Sequence, residues 1–273
     1  MLSLTDYHKF WLTDYHHSGL FNCKPGILSC EAYHVLTPVL YDMGVLKSYK
    51  SYQTIIINFI SNLFSGAKCP NILVAGIDSE VSARAIIQIL DLFGHKYSLT
   101  FIDCCLTPLN RINHCLEKHE KGYIKTNLVN IFTNTTGFRP GFDIIFSDSF
   151  LKQFSKSQKA EALRILSSFL KNPGSRLVIR EYFGDQNDFL LPFWSKLEYI
   201  YNKSKDNYQF STLANDKFLL LKEKLENYYN NTGKPYINIE ELKADMKDAK
   251  LQIIDAYINE SLPDKIIIAS RLA

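Results

Sequence analysis

From residue 71 to residue 180 the chain alternates between two hydrophobic periods, and that alternation limits its fold more than any other feature. Asn71-Ile-Leu-Val-Ala-Gly76 is a short apolar run that stops at a glycine, the pattern of a strand buried on both faces. Ser79 can cap a helix whose apolar residues Ile86, Ile89, Leu90 and Phe93 recur at helical spacing until Gly94. Ser98 to Asp103 forms a second apolar run. Thr107 and Pro108 then read as N-cap and first residue of a helix lined by Leu109, Ile112 and Leu116. A weaker strand is expected near residues 123–127 and a clear one over 142–147. A helix follows, with Ser155 and Gln158 at capping-box spacing, and then a strand over 176–180. Such repetition predicts a parallel sheet, doubly wound by right-handed crossovers and covered on both faces. The last two runs, 251–257 and 265–269, are separated by too few residues for a crossover helix, so they must pair antiparallel. The fold class expected is therefore α/β, with a mostly parallel, seven-stranded sheet and a final antiparallel hairpin.

The flanking segments are helical in pattern. Tyr52, Ile55, Ile56, Phe59, Ile60, Leu63 and Phe64 fall on one helix face, with Gly66 as a stop. Residues 1–66 are expected to form an N-terminal helical cap, and residues 67–273 the α/β domain, with a helical insertion near 185–248. The apolar stretch over 55–64 is broken by Asn58, Ser61 and Asn62, too short and polar to span a bilayer. No secretory h-region opens the chain, so a cytoplasmic location without membrane attachment is expected. A formal charge of +3 and the lack of an Arg-rich run argue against a nucleic-acid partner. The six cysteines include no CxxC pair and no Cys/His spacing suited to zinc, so no metal is expected.

In open α/β sheets ligands bind beyond the carboxyl ends of the strands. That places Gly76 to Ser79, Asp103, Asn127 to Ile131 and Ser147 to Phe150 around one site. Gly76 would permit close approach of a ligand to the backbone. A carboxylate at Asp103 can accept both hydroxyls of a ribose. A dinucleotide would set its pyrophosphate on the helix beginning near Ser79, where Asp78 and Glu80 would repel it. S-adenosylmethionine (SAM) carries no phosphate, and its ammonium and sulfonium tolerate such acids.

With these residues in place the chain resembles the class I SAM-dependent methyltransferases. The resemblance spans roughly residues 68–273. It rests on Ile72-Leu-Val-Ala-Gly76, on Leu99-Thr-Phe-Ile-Asp103, on Phe142-Asp-Ile-Ile-Phe-Ser-Asp-Ser-Phe-Leu151 and on the terminal antiparallel pair. The family's first motif commonly holds two or three glycines. This chain keeps Gly76 alone, with Asp78 and Glu80 in the later positions. The resemblance implies that Gly76 and Asp78 approach the methionine part of SAM, Asp103 and Cys104 the ribose, and Asn130 and Ile131 the adenine. Ser147, Asp148, Ser149 and Phe150 would edge the methyl group and its acceptor. It also implies a lid role for the N-terminal cap. Tyr7, Trp11, Tyr15 and Phe21 would contact a flat small-molecule acceptor, and His16, His17 or His34 would take its proton. The activity implied is methylation of oxygen, nitrogen or sulfur on a small molecule. The altered first motif leaves open aminocarboxypropyl transfer or cyclisation with the same cofactor, and a catalytically inactive binding module. The apolar N-terminal helix could equally pack on a second subunit as a homodimer.

Overall fold

The computed structural model describes residues 52–66, 69–116, 122–134, 141–185, 233–257 and 264–272, together with single residues elsewhere that include His34, Thr37 and Trp194. Within these residues runs one seven-stranded sheet in the order β3-β2-β1-β4-β5-β7-β6. Its strands are β1 (Asn71–Ala75), β2 (Tyr97–Asp103), β3 (Gly122–Leu128), β4 (Ile144–Asp148), β5 (Arg176–Tyr182), β6 (Leu251–Tyr257) and β7 (Asp264–Arg271). β1 pairs in parallel with β2 and β4, β2 with β3, and β4 with β5. β7 runs antiparallel to both β5 and β6. The helices are α1 (Gln53–Gly66), α2 (Glu80–Asp91), α3 (Leu106–Leu116), α4 (Lys156–Phe169) and α5 (Ile239–Asp248).

Strand side chains alternate between faces, and the two faces build two cores. Ile72, Val74, Leu99, Phe101, Ile144, Phe146 and Val178 pack with α1, α2 and α3. Leu73, Ala75, Ile102, Ile145, Leu177 and Ile179 pack with α4 and α5. α1 thus covers the sheet directly through Tyr52, Ile56, Ile60 and Phe64, all of them buried. The helix grouped with the cap on sequence is part of the three-layer core. No helix among the described residues is long and apolar enough to cross a membrane.

Two of the boundaries that differ from the expected ones have a clear local reason. β4 begins at Ile144 because Asp143 is diverted: its carboxylate accepts the amide of Asn71 at 2.9 Å and binds Lys171 at 3.1 Å. α3 begins at Leu106 rather than Pro108. The Asp103 carboxylate takes the Cys105 amide at 2.7 Å and turns the chain into the helix early. Pro108 then sits in the first turn, where its missing N–H costs nothing. Other signals act as expected. Ser79 caps α2, and Ser155 and Gln158 form a reciprocal capping box on α4.

Candidate functional site

The parallel strands end together at one edge of the sheet, where the loops after β1, β2 and β4 meet. Gly76 leaves β1 with φ of +73°, and its amide donates to the Ile102 carbonyl at 2.9 Å, tying the β1 and β2 ends together. A Cβ at Gly76 would stand 2.3 Å from the Phe150 ring. Glycine is required here twice over, by backbone conformation and by the ring that lies on it. Gly76→Ala is expected to destabilise the fold by about 2–4 kcal/mol, from left-handed strain plus overpacking. A urea titration that gave less than about 1 kcal/mol would show that the Phe150 ring yields.

Asp103 ends β2, half-buried. One carboxylate oxygen accepts the Ile77 amide at 3.1 Å and the other the Cys105 amide. Burial pushes this carboxyl up to about 6, against the opposing pull of His34 and the two amides. His34 is buried against this group. Its Nδ1 lies 3.2 Å from the Asp78 carbonyl. Burial works against its charge, but the hydrogen bond and charge of Cys105 and the charges around Asp103 raise its pKa above the usual imidazole value. The His34 carbonyl accepts from Nη1 of Arg111, a guanidinium wholly inside the protein on α3. Arg111 also faces Glu80 at 3.8 Å.

Glu80 therefore points inward to Arg111 and does not face a ligand at the β1 loop, which corrects its expected repulsion of a pyrophosphate. The N-terminus of α2 is nevertheless spoken for. Ser79 Oγ accepts the Ser82 amide and donates to Asp78 Oδ1 at 3.1 Å. One amide that a bound anion would use there, that of Ser82, is taken by the chain's own Ser79.

The remaining expected residues divide. Cys104 is exposed beside Asp103. Asn130 is exposed, its side-chain oxygen accepting the Phe132 amide at 3.0 Å, while Ile131 is buried behind it. Ser147 is fully buried in β4, and its hydroxyl has no hydrogen-bond partner among the described residues. Ser149 adopts φ of +51°, rare for a side-chain-bearing residue, and its amide donates to the Arg180 carbonyl at 2.7 Å. Phe150 meets Phe154 edge-on at 4.8 Å, and Phe154 meets Phe132 edge-on at 5.0 Å. These rings line the edge from the β4 end to the β3 end. Tyr7, Trp11, Tyr15, His16, His17 and Phe21 lie outside the described residues.

Three charged groups at this edge went unassigned on sequence, Lys152, Arg180 and Glu181, and they join Asp148 from the Ser147–Phe150 run. The signal was present, since Arg180 and Glu181 continue a strand that is otherwise apolar and buried. Burial pushes Asp148 and Glu181 each up to about 7, partly opposed by Arg180 at Asp148 and by Lys152 at Glu181. Burial likewise lowers the Lys152 pKa. Asp103, Asp148 and Glu181 all hold protons more tightly folded than unfolded, so the native state binds more protons between about pH 4 and 7. Stability from these groups is present at the acid end and lost as pH rises through about 6 to 7. The melting temperature is expected to fall between about pH 5.5 and 7.5, and a rise across that range would contradict these assignments.

No protein-family model matches the chain, and no curated protein matches it by sequence. Solved structures do match. A Rhodobacter sphaeroides protein named as a Zn-dependent alcohol dehydrogenase superposes with TM-score 0.59 at 14% identity, over 90% of this chain and 98% of that one. A SAM-dependent methyltransferase from Methanosarcina mazei gives 0.50 at 17%, over 80% and 97%. The CurJ carbon methyltransferase gives 0.53 at 16%, over 81% of this chain and 54% of that one. At such identities the likeness is one of fold. The strand order, the closing antiparallel hairpin and the methyltransferase neighbours together give this chain the class I, Rossmann-like SAM-dependent methyltransferase fold.

Proposed function

We propose that this chain is a SAM-dependent methyltransferase that acts on a small-molecule acceptor. The observation that carries the reading is Asp103 beside Gly76. Each oxygen of this half-buried carboxylate has one backbone donor, which leaves lone pairs for the two hydroxyls of a ribose. At the neighbouring helix N-terminus Ser79 caps the Ser82 amide and sets Asp78 alongside, a poor seat for a pyrophosphate. Those residues fit SAM and disfavour a dinucleotide.

In this reading Asp103 holds the ribose, the loop from Gly76 to Asp78 faces the methionine part, and Asn130 and Ile131 flank the adenine. SAM supplies a methyl group on a sulfonium, already a good leaving group. The protein has to orient the acceptor and exclude water. Ser149 and Phe150 edge the acceptor space. His34, beside Asp103 and Cys105, acts there as a positioning residue that holds the β1 and β2 loops.

One observation favours a second reading, a binding module without catalysis: the Phe150 ring rests on Gly76, where the methionine part would pass. Calorimetric titration with SAM and S-adenosylhomocysteine, with NADH as control, separates the two. Binding of either sulfur nucleoside without NADH supports the methyltransferase. Absence of both, with binding restored in Phe150→Ala, supports the module.

A further inference from the structure

The β4 and β5 ends carry a set of charges that cofactor binding leaves unused. Asp148 ends β4, and Arg180 faces it in register on β5. Arg180 brings Nε and Nη2 each to 2.7 Å from the same oxygen, Asp148 Oδ1. Glu181 Oε2 accepts the Leu151 amide at 3.0 Å. The other oxygen of each carboxylate, Asp148 Oδ2 and Glu181 Oε1, is buried without a hydrogen-bond partner among the described residues, as is Ser147 Oγ. The Asp148 side chain is 1% exposed and Glu181 is 0% exposed. Folded proteins rarely leave buried oxygens unpaired, and two at the ligand-binding edge of a sheet point to a missing partner.

The chemistry of that partner follows from the atoms left over. Both carboxylate oxygens accept; neither needs a second acceptor. An anionic ligand has no donor to offer and would meet Asp78, Asp148 and Glu181 together. A protonated amine brings up to three N–H donors and a charge of the sign these acids lack. Lys152 lies within electrostatic reach of Asp78, Asp148 and Glu181, and Lys159 within reach of Glu181. With Arg180 they temper the acids but leave both oxygens unbonded. The rings of Phe150, Phe154 and Phe132 run along the same edge and suit a flat apolar frame.

We propose that Asp148 and Glu181 form a recognition site for a protonated amine carried on an aromatic small molecule; calling that molecule the methyl acceptor rests on the methyltransferase reading. An ammonium held here can pass one proton to a carboxylate, its N–H bond breaking as the O–H bond forms, which exposes the nitrogen lone pair. Because both carboxyls are partly protonated near neutral pH, binding of a cation drives protons off them.

The test uses the full chain without SAM and three probes on one skeleton: phenethylamine, 2-phenylethanol and 3-phenylpropionate, each titrated calorimetrically in two buffers of different ionisation enthalpy. The expected result is amine binding about tenfold or more tighter than the alcohol, the propionate weakest, and net proton release with the amine alone. Equal binding of the three, preference for the propionate, or no amine binding overturns the proposal. Glu181→Gln keeps an oxygen for the Leu151 amide and can set an N–H₂ where Oε1 stands. It should lose the amine preference while its SAM titration stays as in the unsubstituted chain, and its melting temperature should lose the share of pH dependence that Glu181 supplies. Retained amine preference in that variant also overturns the site. Amine binding in a protein that fails to bind SAM would sink the methyltransferase reading and leave this one standing.

Discussion

Asp103→Ala is expected to weaken SAM binding by about a hundredfold or more, measured by calorimetric titration at neutral pH. The substitution removes the acceptor for two ribose hydroxyls, and hydrogen bonds to a charged group are each worth about 1.5–3 kcal/mol. It also releases the Ile77 and Cys105 amides that hold the β1 and β2 loops in place. Asp103→Asn separates these contributions. Its amide oxygen can still take one backbone amide, but its nitrogen accepts nothing, so an intermediate affinity is expected. Loss of affinity in alanine with an unchanged melting curve assigns the effect to the ligand. Full SAM affinity in Asp103→Ala would place the cofactor elsewhere or nowhere on this chain.

Arg180→Met is expected to cost about 3–5 kcal/mol of folding stability near pH 8, the usual penalty for stripping the partner from a buried ion pair. Both side chains are interior, 5% and 1% exposed, so Asp148 has no water to turn to. Its carboxyl already stands at about 7 with the guanidinium beside it, and without that cation it must rise further. The variant therefore recovers stability as pH falls and Asp148 takes a proton, and near pH 5.5 the difference from the unsubstituted chain should shrink to a fraction of its pH 8 value. Asp148→Asn in the same background should restore much of the loss at pH 8. An equal deficit at both pH values would mean that lost packing of the arginine stem, not the stranded charge, is responsible.

Much of the architecture was legible before any coordinates. Hydrophobic period is a local property, readable over ten residues. It marked β1, β2, β5 and the final hairpin, and it located α2 and α4 with their caps. Gly76 and Asp103 stood out because a strand end in a parallel sheet is itself a place where ligands bind. The inward turn of Glu80 was not legible. Its acid at a helix N-terminus looked like a barrier to anions, and only the arrival of Arg111 from α3 showed that the carboxylate serves the interior. His34 drew notice as a proton acceptor, but its place against Asp78, Asp103 and Cys105 is tertiary.

By itself the sequence determined a doubly wound α/β sheet with an antiparallel close, and the edge at which a ligand must sit, because period, caps and loop lengths act over short stretches of chain. Tertiary structure decided which charges share that edge. Asp148 meets Arg180 across 32 residues, Glu181 holds the amide of Leu151 across 30, and the Phe150 ring settles on Gly76. Those meetings depend on the register of β4 against β1 and β5, which is set by the packing of both sheet faces at once. No single segment carries that information, so the acids that give the site its chemistry emerge only when the strands are laid side by side.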